Sequence, residues 1–184
     1  MKNLIAGLLT ALAIIGCIAK LEGDKNKPVE NASREVESVV PAPSLDSAIR
    51  IEEDLLTGNT NYYLTLRSET TVYNSIGIAE TAGLVIRCVN RNFDTFISTP
   101  TYNAEHKRVF IRWNERATQT TIWNKEEGGT GFFAPAPNTF LNSARRADTL
   151  IFGWLPYQKT RTAAKWTFTE QNKRDILAMQ KYCA

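Results

Sequence analysis

From Asn61 onward the apolar residues recur mainly at every second position, in short runs separated by turn residues, which is the signature of half-buried strands. Tyr62-Tyr63-Leu64-Thr65-Leu66 is the first run. Leu84 to Val89 is the second, with Leu84, Ile86 and Cys88 on one face. Asp94 to Ser98 follows, and then Arg108 to Trp113, where Val109, Ile111 and Trp113 alternate with Arg108, Phe110 and Arg112. Thr118 to Trp123 adds a further run, and Leu150 to Trp154 and Ala164 to Phe168 read as two closing strands. Asn90-Arg91-Asn92 and Tyr102-Asn103-Ala104-Glu105 have the composition of turns that pair these runs into hairpins. EEGGTGFF, residues 126–133, interrupts the alternation, and Pro135 and Pro137 mark it as a loop.

Three segments have a helical period instead. Ser44 to Leu56 is apolar at 45, 48, 49, 55 and 56, one tolerable helix face. Asn138 is placed to cap a short helix over Thr139 to Arg146 that turns Phe140, Leu141 and Ala144 inward. Glu170 to Tyr182 closes the chain as a helix, with Ile176, Leu177 and Met179–Gln180 near its buried side and Cys183 at its end. No internal repeat is present. Residues 44–184 therefore read as one α+β domain, mainly antiparallel β and sandwich-like, with a short internal helix and a C-terminal helix.

The first twenty residues follow another pattern. Lys2 gives a positive start, and Leu4 to Ile15 form an apolar run of about a dozen residues, whereas a spanning helix needs roughly twenty. A charged start, a short apolar run and small residues at its end make a secretory leader, residues 1–16. Ile14-Ile15-Gly16-Cys17 resembles the lipobox of bacterial lipoproteins. That resemblance implies cleavage before Cys17 and acyl chains on its thiol and new amino end, each buried methylene contributing about 0.8 kcal/mol to anchoring. The competing reading is an uncleaved N-terminal anchor in which Cys17 is incidental. Ile18 stands where the inner-membrane retention signal of such lipoproteins has Asp, which favours the outer membrane. Residues 17–43 carry the lipidated cysteine and a stretch with no aromatic residue, much charge, and Pro28, Pro41 and Pro43, the composition of a flexible tether.

Composition changes this picture in two respects. With 43% apolar residues, the roughly 165 residues after the leader have enough for a core and too few for two ordinary domains. The net charge of +3 falls to +2 once Lys2 is removed, and apart from Arg145-Arg146 the cations are dispersed, so no nucleic-acid surface is expected. The cysteines are the second respect. Three is an odd number, but with Cys17 acylated the remaining two, Cys88 and Cys183, are free to pair. An oxidising compartment outside the cytoplasm would permit that bridge; two buried free thiols are the other reading.

The order LTLRSE (64–69), LVIRC (84–88), VFIRWNE (109–115), a segment around Trp123, FLNSARRADTLIFGWLPY (140–157) and AAKWTFTEQNKRDILAMQKYC (163–183) resembles the VasI/TagO-type accessory proteins of type VI secretion systems. The likeness covers roughly residues 57–183, and its most specific elements are the two cysteines, here Cys88 and Cys183. It implies a strand-rich domain whose terminal helix is held by a disulfide, and a non-catalytic role in an envelope-spanning machine.

Little catalytic chemistry is legible. His106 is the single histidine and stands in a turn, with no CxxC or HExxH spacing to make a metal site. Ser75, Ser98 and Ser143 lack a nucleophile elbow, and paired cysteines cannot attack. Glu126-Glu127 has the residue types of a glycosidase pair, but adjacent carboxylates in a turn rarely acquire that geometry. GGTG lacks the strand, lysine and helix of a phosphate loop. Phe132 and Phe133 are the notable choice: two large apolar side chains in a loop either plug the core edge or form a partner-binding tip, flanked by Arg145 and Arg146. The expectation is thus a lipid-anchored, periplasm-facing envelope protein that binds another protein through Phe132, Phe133, Arg145 and Arg146, with no catalytic residue, metal or cofactor. Two other expectations stand beside it. One is a phage-type surface lipoprotein that blocks a receptor or inhibits a hydrolase; the other is a peptidoglycan-acting enzyme using Glu126, Glu127 or His106.

Overall fold

Leu64 and Leu66 on one strand, and Leu84 and Ile86 on the next, stand opposite each other and share a buried face, and the rest of the molecule is assembled around that hairpin. The computed structural model describes residues 48–184 except 75, 104–106 and 158–159. The leader 1–16, Cys17, the tether and His106 lie outside the described residues.

Strand β2 (Thr60–Tyr73) pairs antiparallel with β3 (Ala79–Val89), flanked by β1 (Ile49–Glu53) and β4 (Asn92–Ser98). Two short strands, β7 (Asn124–Lys125) and β8 (Gly131–Phe133), complete a six-stranded sheet in the order β1-β2-β3-β4-β8-β7. A second sheet of four strands runs β10-β9-β5-β6, from β5 (Arg108–Trp113), β6 (Gln119–Ile122), β9 (Thr149–Trp154) and β10 (Thr162–Thr167). All pairings are antiparallel. Leu64, Leu84, Ile86, Ile97 and Phe132 from the first sheet meet Val109, Leu150, Phe152, Trp154 and Trp166 from the second in one continuous core. Each is nearly or wholly enclosed, so the alternation read from the sequence is the alternation of a sandwich.

One side of the sandwich is closed by an irregularity in β2. The register with β3 shifts between Arg67 and Thr71, and Ser68 occupies the shift. Its Oγ accepts from Ala82 N–H at 3.0 Å and donates to Thr70 O at 2.8 Å. Beyond the bulge β2 meets β10: Lys165 N–H donates to Thr70 Oγ1 at 3.2 Å, and Trp166 Nε1 donates to Leu66 O at 2.8 Å.

Helix α1 (Pro137–Arg146) and helix α2 (Glu170–Tyr182) pack against each other and against the sheets. Phe140, Leu141 and Ala144 are the buried face of α1, as their spacing predicts. Its start is different: Pro137 takes the first turn and Ala136 the cap position without a side-chain bond, while Asn138 lies inside the helix and accepts from Gln180 Nε2 at 3.1 Å. The cap of α2 is reciprocal, with Thr169 Oγ1 accepting from Asn172 N–H and Asn172 Oδ1 accepting from Thr169 N–H. Ile176 and Met179 are fully buried, Tyr182 stacks on Tyr62 at 4.5 Å, and Cys183 is disulfide-bonded to Cys88. The fold is the expected α+β arrangement with its C-terminal helix tied to the sheet.

Besides the cap of α1, three expectations about local structure fail in whole or in part. Residues 49–53, expected within a helix from Ser44 to Leu56, form β1: Ile49 is buried opposite Leu64, and the other four residues are exposed along an edge strand. The ladder to β2, the next strand in the chain and joined to β1 through the turn at Asp54–Asn59, outweighs the helical period there. Of residues 126–133, expected as a loop, 126–130 are the turn that joins β7 to β8, whereas Gly131–Phe133 form β8 and pair with β4 and β7. Glu126 N–H donates to Gly131 O and Gly129 N–H to Glu126 O, and Gly129 takes φ 74°. A side chain there would also collide with Tyr102, whose Cε2 lies 2.5 Å from where a Cβ would stand. Finally, the segment after β4 does not return as a hairpin to β5, because those strands belong to different sheets. Asn103, fully enclosed, holds the crossing by donating from Nδ2 to Thr99 Oγ1 at 2.7 Å and Gly129 O at 3.0 Å.

Candidate binding groove

Where β5 ends, its inward-facing row Val109, Ile111, Trp113 runs out from under the core, and Trp113 is left half-buried at the surface. Helix α1 crosses beside it, bringing Phe140 to 5.1 Å ring to ring, and Phe168 lies 6.4 Å away on the other side. Trp123, just past β6, is buried and meets Phe140 edge-on at 5.1 Å and Phe152 at 5.1 Å. The aromatic rings thus continue from the core to the floor of a groove bounded by the β5–β6 hairpin and α1.

The groove has three connected parts. The first, a cavity of about 160 Å³, is lined by Ile111, Trp113, Gln119, Trp123, Pro135 and Phe140 among others. The second, about 170 Å³, shares Trp113 and Ser143 with the first and adds Asn114, Arg116, Arg146 and Ala147. The third is a wider hollow of about 620 Å³ along Asn114, Glu115, Arg116, Asp148 and Thr149. One end is aromatic; the other carries the guanidinium groups of Arg116 and Arg146, neither of which forms an ion pair among the described residues, and the carboxylates of Glu115 and Asp148, the latter paired with Lys173.

The turn bearing Arg116 is fixed by Asn114. Its backbone lies in the left-handed region at φ 51°, where asparagine is enriched. Its Oδ1 accepts from both Asp148 N–H and Thr149 N–H at 2.9 Å, and its own N–H donates to Thr149 O at 3.0 Å. Arg116 N–H closes the turn on Trp113 O at 3.1 Å. The hairpin tip is therefore tied to the link between α1 and β9, and the backbone that carries Arg116 is held in place before any ligand arrives.

The residues singled out from sequence are dispersed by the fold. Cys88 and Cys183 are joined. Phe132 and Phe133 are neighbours on a strand and so face opposite ways: Phe132 is fully enclosed, 6.0 Å from Phe152, while Phe133 lies on the outer face of the six-stranded sheet, 5.0 Å from Phe96 and beneath Arg87. Arg145 turns toward α2 and donates to Gln180 Oε1 at 3.4 Å. Arg146 alone of the four enters the groove. Glu126 accepts from Thr130 Oγ1 in the β7–β8 turn, and Glu127 is exposed beside it. Cys17 and His106 are outside the described residues. Trp113, Arg116 and Trp123 were missed as site residues; a tryptophan closing a strand and followed at once by Asn-Glu-Arg was the available signal. Among the described residues no group of three His, Cys, Asp or Glu side chains is placed to hold a metal ion, and no helix is long and apolar enough to cross a membrane.

No family model matches the chain, and no curated protein matches it in sequence. Among solved structures, invasion associated protein B from Bartonella henselae is similar over 73% of this chain and 95% of its own, at 11% identity and a TM-score of 0.42.

Proposed function

We propose that this chain is a lipid-anchored protein of the cell envelope, held through Cys17, that acts by binding another protein as a non-catalytic accessory of a secretion-type or surface assembly. The groove is the observation that carries the reading. It is concave, floored by Trp113 and Phe140, and flanked by the unpaired guanidinium groups of Arg116 and Arg146. Aromatic and arginine side chains are the types that dominate protein–protein hot spots, and here Asn114 fixes the backbone of the turn that carries Arg116. The Cys88–Cys183 bridge supports an oxidising location, as the leader and its lipobox do.

The test has two parts. Intact-mass measurement of the membrane fraction should give a processed chain of residues 17–184 carrying acyl groups, two mass units heavier after reduction. A photo-reactive residue in place of Arg116, activated in intact cells, should capture an envelope protein, and Trp113→Ala should abolish that adduct. A full-length chain recovered from the cytoplasm with every thiol open to alkylation overturns the reading. Capture of a porin or of a wall hydrolase would redirect it to receptor blocking or inhibition.

A further inference from the structure

Each sheet in this molecule has edges, and all but one are protected. β1 carries Arg50, Glu52 and Glu53 among its five residues, β7 is two residues long, and β10 is covered by β2 through Lys165 N–H and Thr70 Oγ1. Among the described residues β6 is the exception: Gln119-Thr120-Thr121-Ile122 has no charge, no proline and no bulge, and Ile122 is 69% exposed. An open edge of β-branched residues is a template for another strand, which proteins ordinarily suppress.

The phase of the ladder shows which groups are offered. Trp123 N–H donates to Lys107 O at 2.9 Å, so the hydrogen-bonded pairs with β5 are those of Trp123, Thr121 and Gln119. By the alternation of antiparallel ladders, Thr120 and Ile122 turn their N–H and C=O groups outward. A strand laid on this edge alternates its side chains between two different environments. On one face is the aromatic cavity lined by Gln119, Trp123, Trp113 and Phe140. On the other are Arg108 and Arg112, both exposed, on the neighbouring strand β5, with Arg108 directly opposite Ile122. Residues 107–113, 119–125, 149–154 and 160–167, which span the four strands of this sheet, contain no acidic residue. An added strand would lie about 10 Å from β5, within joint reach of an arginine and a glutamate side chain.

We infer that β6 is a docking edge for an extended acidic segment of a partner protein, in which carboxylates at alternate positions face Arg108 and Arg112 and an aliphatic or aromatic side chain between them enters the Trp113–Phe140 cavity. This deepens the binding reading above and rests on it. A second copy of this chain is a poorer occupant, because pairing two β6 edges would set like-charged arginine faces side by side.

The test uses the full-length chain in detergent and the acetylated, amidated peptide EVEFEVE, with KVKFKVK and EVEPEVE as controls. Binding is followed by fluorescence anisotropy and by amide exchange. EVEFEVE should slow exchange at Thr120 and Ile122 by about tenfold or more, and neither control should. The double variant R108E/R112E, altered only at exposed positions, should weaken EVEFEVE by about tenfold or more and acquire affinity for KVKFKVK. Unchanged exchange at millimolar EVEFEVE, or equal binding of both charged peptides by the wild type, overturns the proposal. Protection of Thr120 and Ile122 without peptide, by a second copy or by another part of the chain, also overturns it. None of these results touches the acylated mass or the cross-link from Arg116, so the two readings fail separately.

Discussion

Replacing Cys183 by alanine tests what holds the C-terminal helix. The bridge from Cys88 closes a sequence separation of 95 residues, and in the chain-entropy model a loop of that length restricts the unfolded ensemble by about 4.7 kcal/mol at 25 °C. Cys183 is the informative partner because it is half-buried at a helix end, whereas Cys88 is 3% exposed in β3 and its truncation would add a packing defect. In Cys183→Ala the contacts of Ile176, Met179 and the stacked Tyr62–Tyr182 pair remain, so the native state keeps its fold and the loss arises in the unfolded chain. For a domain of about 140 residues, whose unfolding entropy near 60 °C is roughly 0.29 kcal/mol/K, the same loss lowers the melting temperature by about 16 °C. Urea titration followed by the fluorescence of the four tryptophans measures it directly, since all four lie at 113, 123, 154 and 166 within the domain. The reduced wild type should match Cys183→Ala to within about 1 kcal/mol, because both lack the cross-link and little else. A loss below about 1 kcal/mol in both would refute the entropic argument. A variant far less stable than the reduced wild type would show instead that Cys183 contributes through packing.

Two further outcomes are expected. Asn114→Ala leaves two backbone N–H groups without their acceptor and puts an ordinary side chain at φ 51°, so it should cost about 2–3 kcal/mol in urea titration. Asn114→Gly should recover about 1 kcal/mol of that, and equal losses for the two would refute the backbone part of the argument. Burial, then the neighbouring Tyr62 and Asp175, holds the Tyr182 phenol above its ordinary value of 10.0. Above that pH the unfolded chain releases a proton the folded chain retains, so stability should fall as pH rises toward the folded pKa. Tyr182→Phe should flatten this slope when urea titrations are compared across pH 9–11, and an unchanged slope would assign it elsewhere.

The elements legible in the sequence are those whose pattern is long enough to repeat. β5 occupies Arg108–Trp113 and α2 occupies Glu170–Tyr182, the bounds that alternation and the 3.6-residue period imply. β1 was lost because only Ile49 of its five residues is buried, so no alternation shows, and its flanks suit a helix face. β8 was lost because three residues are too few to show alternation, and treating Phe132 and Phe133 as one feature hid their opposite directions. Trp113 was legible as an inward position. Its role in the groove depends on α1 crossing at the end of β5, and no local pattern encodes where one element crosses another.

The disulfide and the groove share a mechanical link through the helices. Cys183 pins the end of α2 to β3, and three residues earlier Gln180 reaches across to α1. Its Nε2 donates to Asn138 Oδ1 at 3.1 Å and Asn142 Oδ1 at 3.4 Å, and its Oε1 accepts from Arg145 Nη1 at 3.4 Å. One amide therefore contacts Asn138, Asn142 and Arg145 in successive turns of α1, and α1 supplies Phe140, Ser143 and Arg146 to the groove. Each bond is partly exposed and individually worth about 1 kcal/mol, too little to hold a helix whose partner frays. Fixing α2 at Cys183, the residue that caps it, helps to keep Gln180 in register, because helix ends open first. The bridge thus does more than restrict the unfolded chain: it extends the rigidity of the sheet through α2 to the wall of the groove.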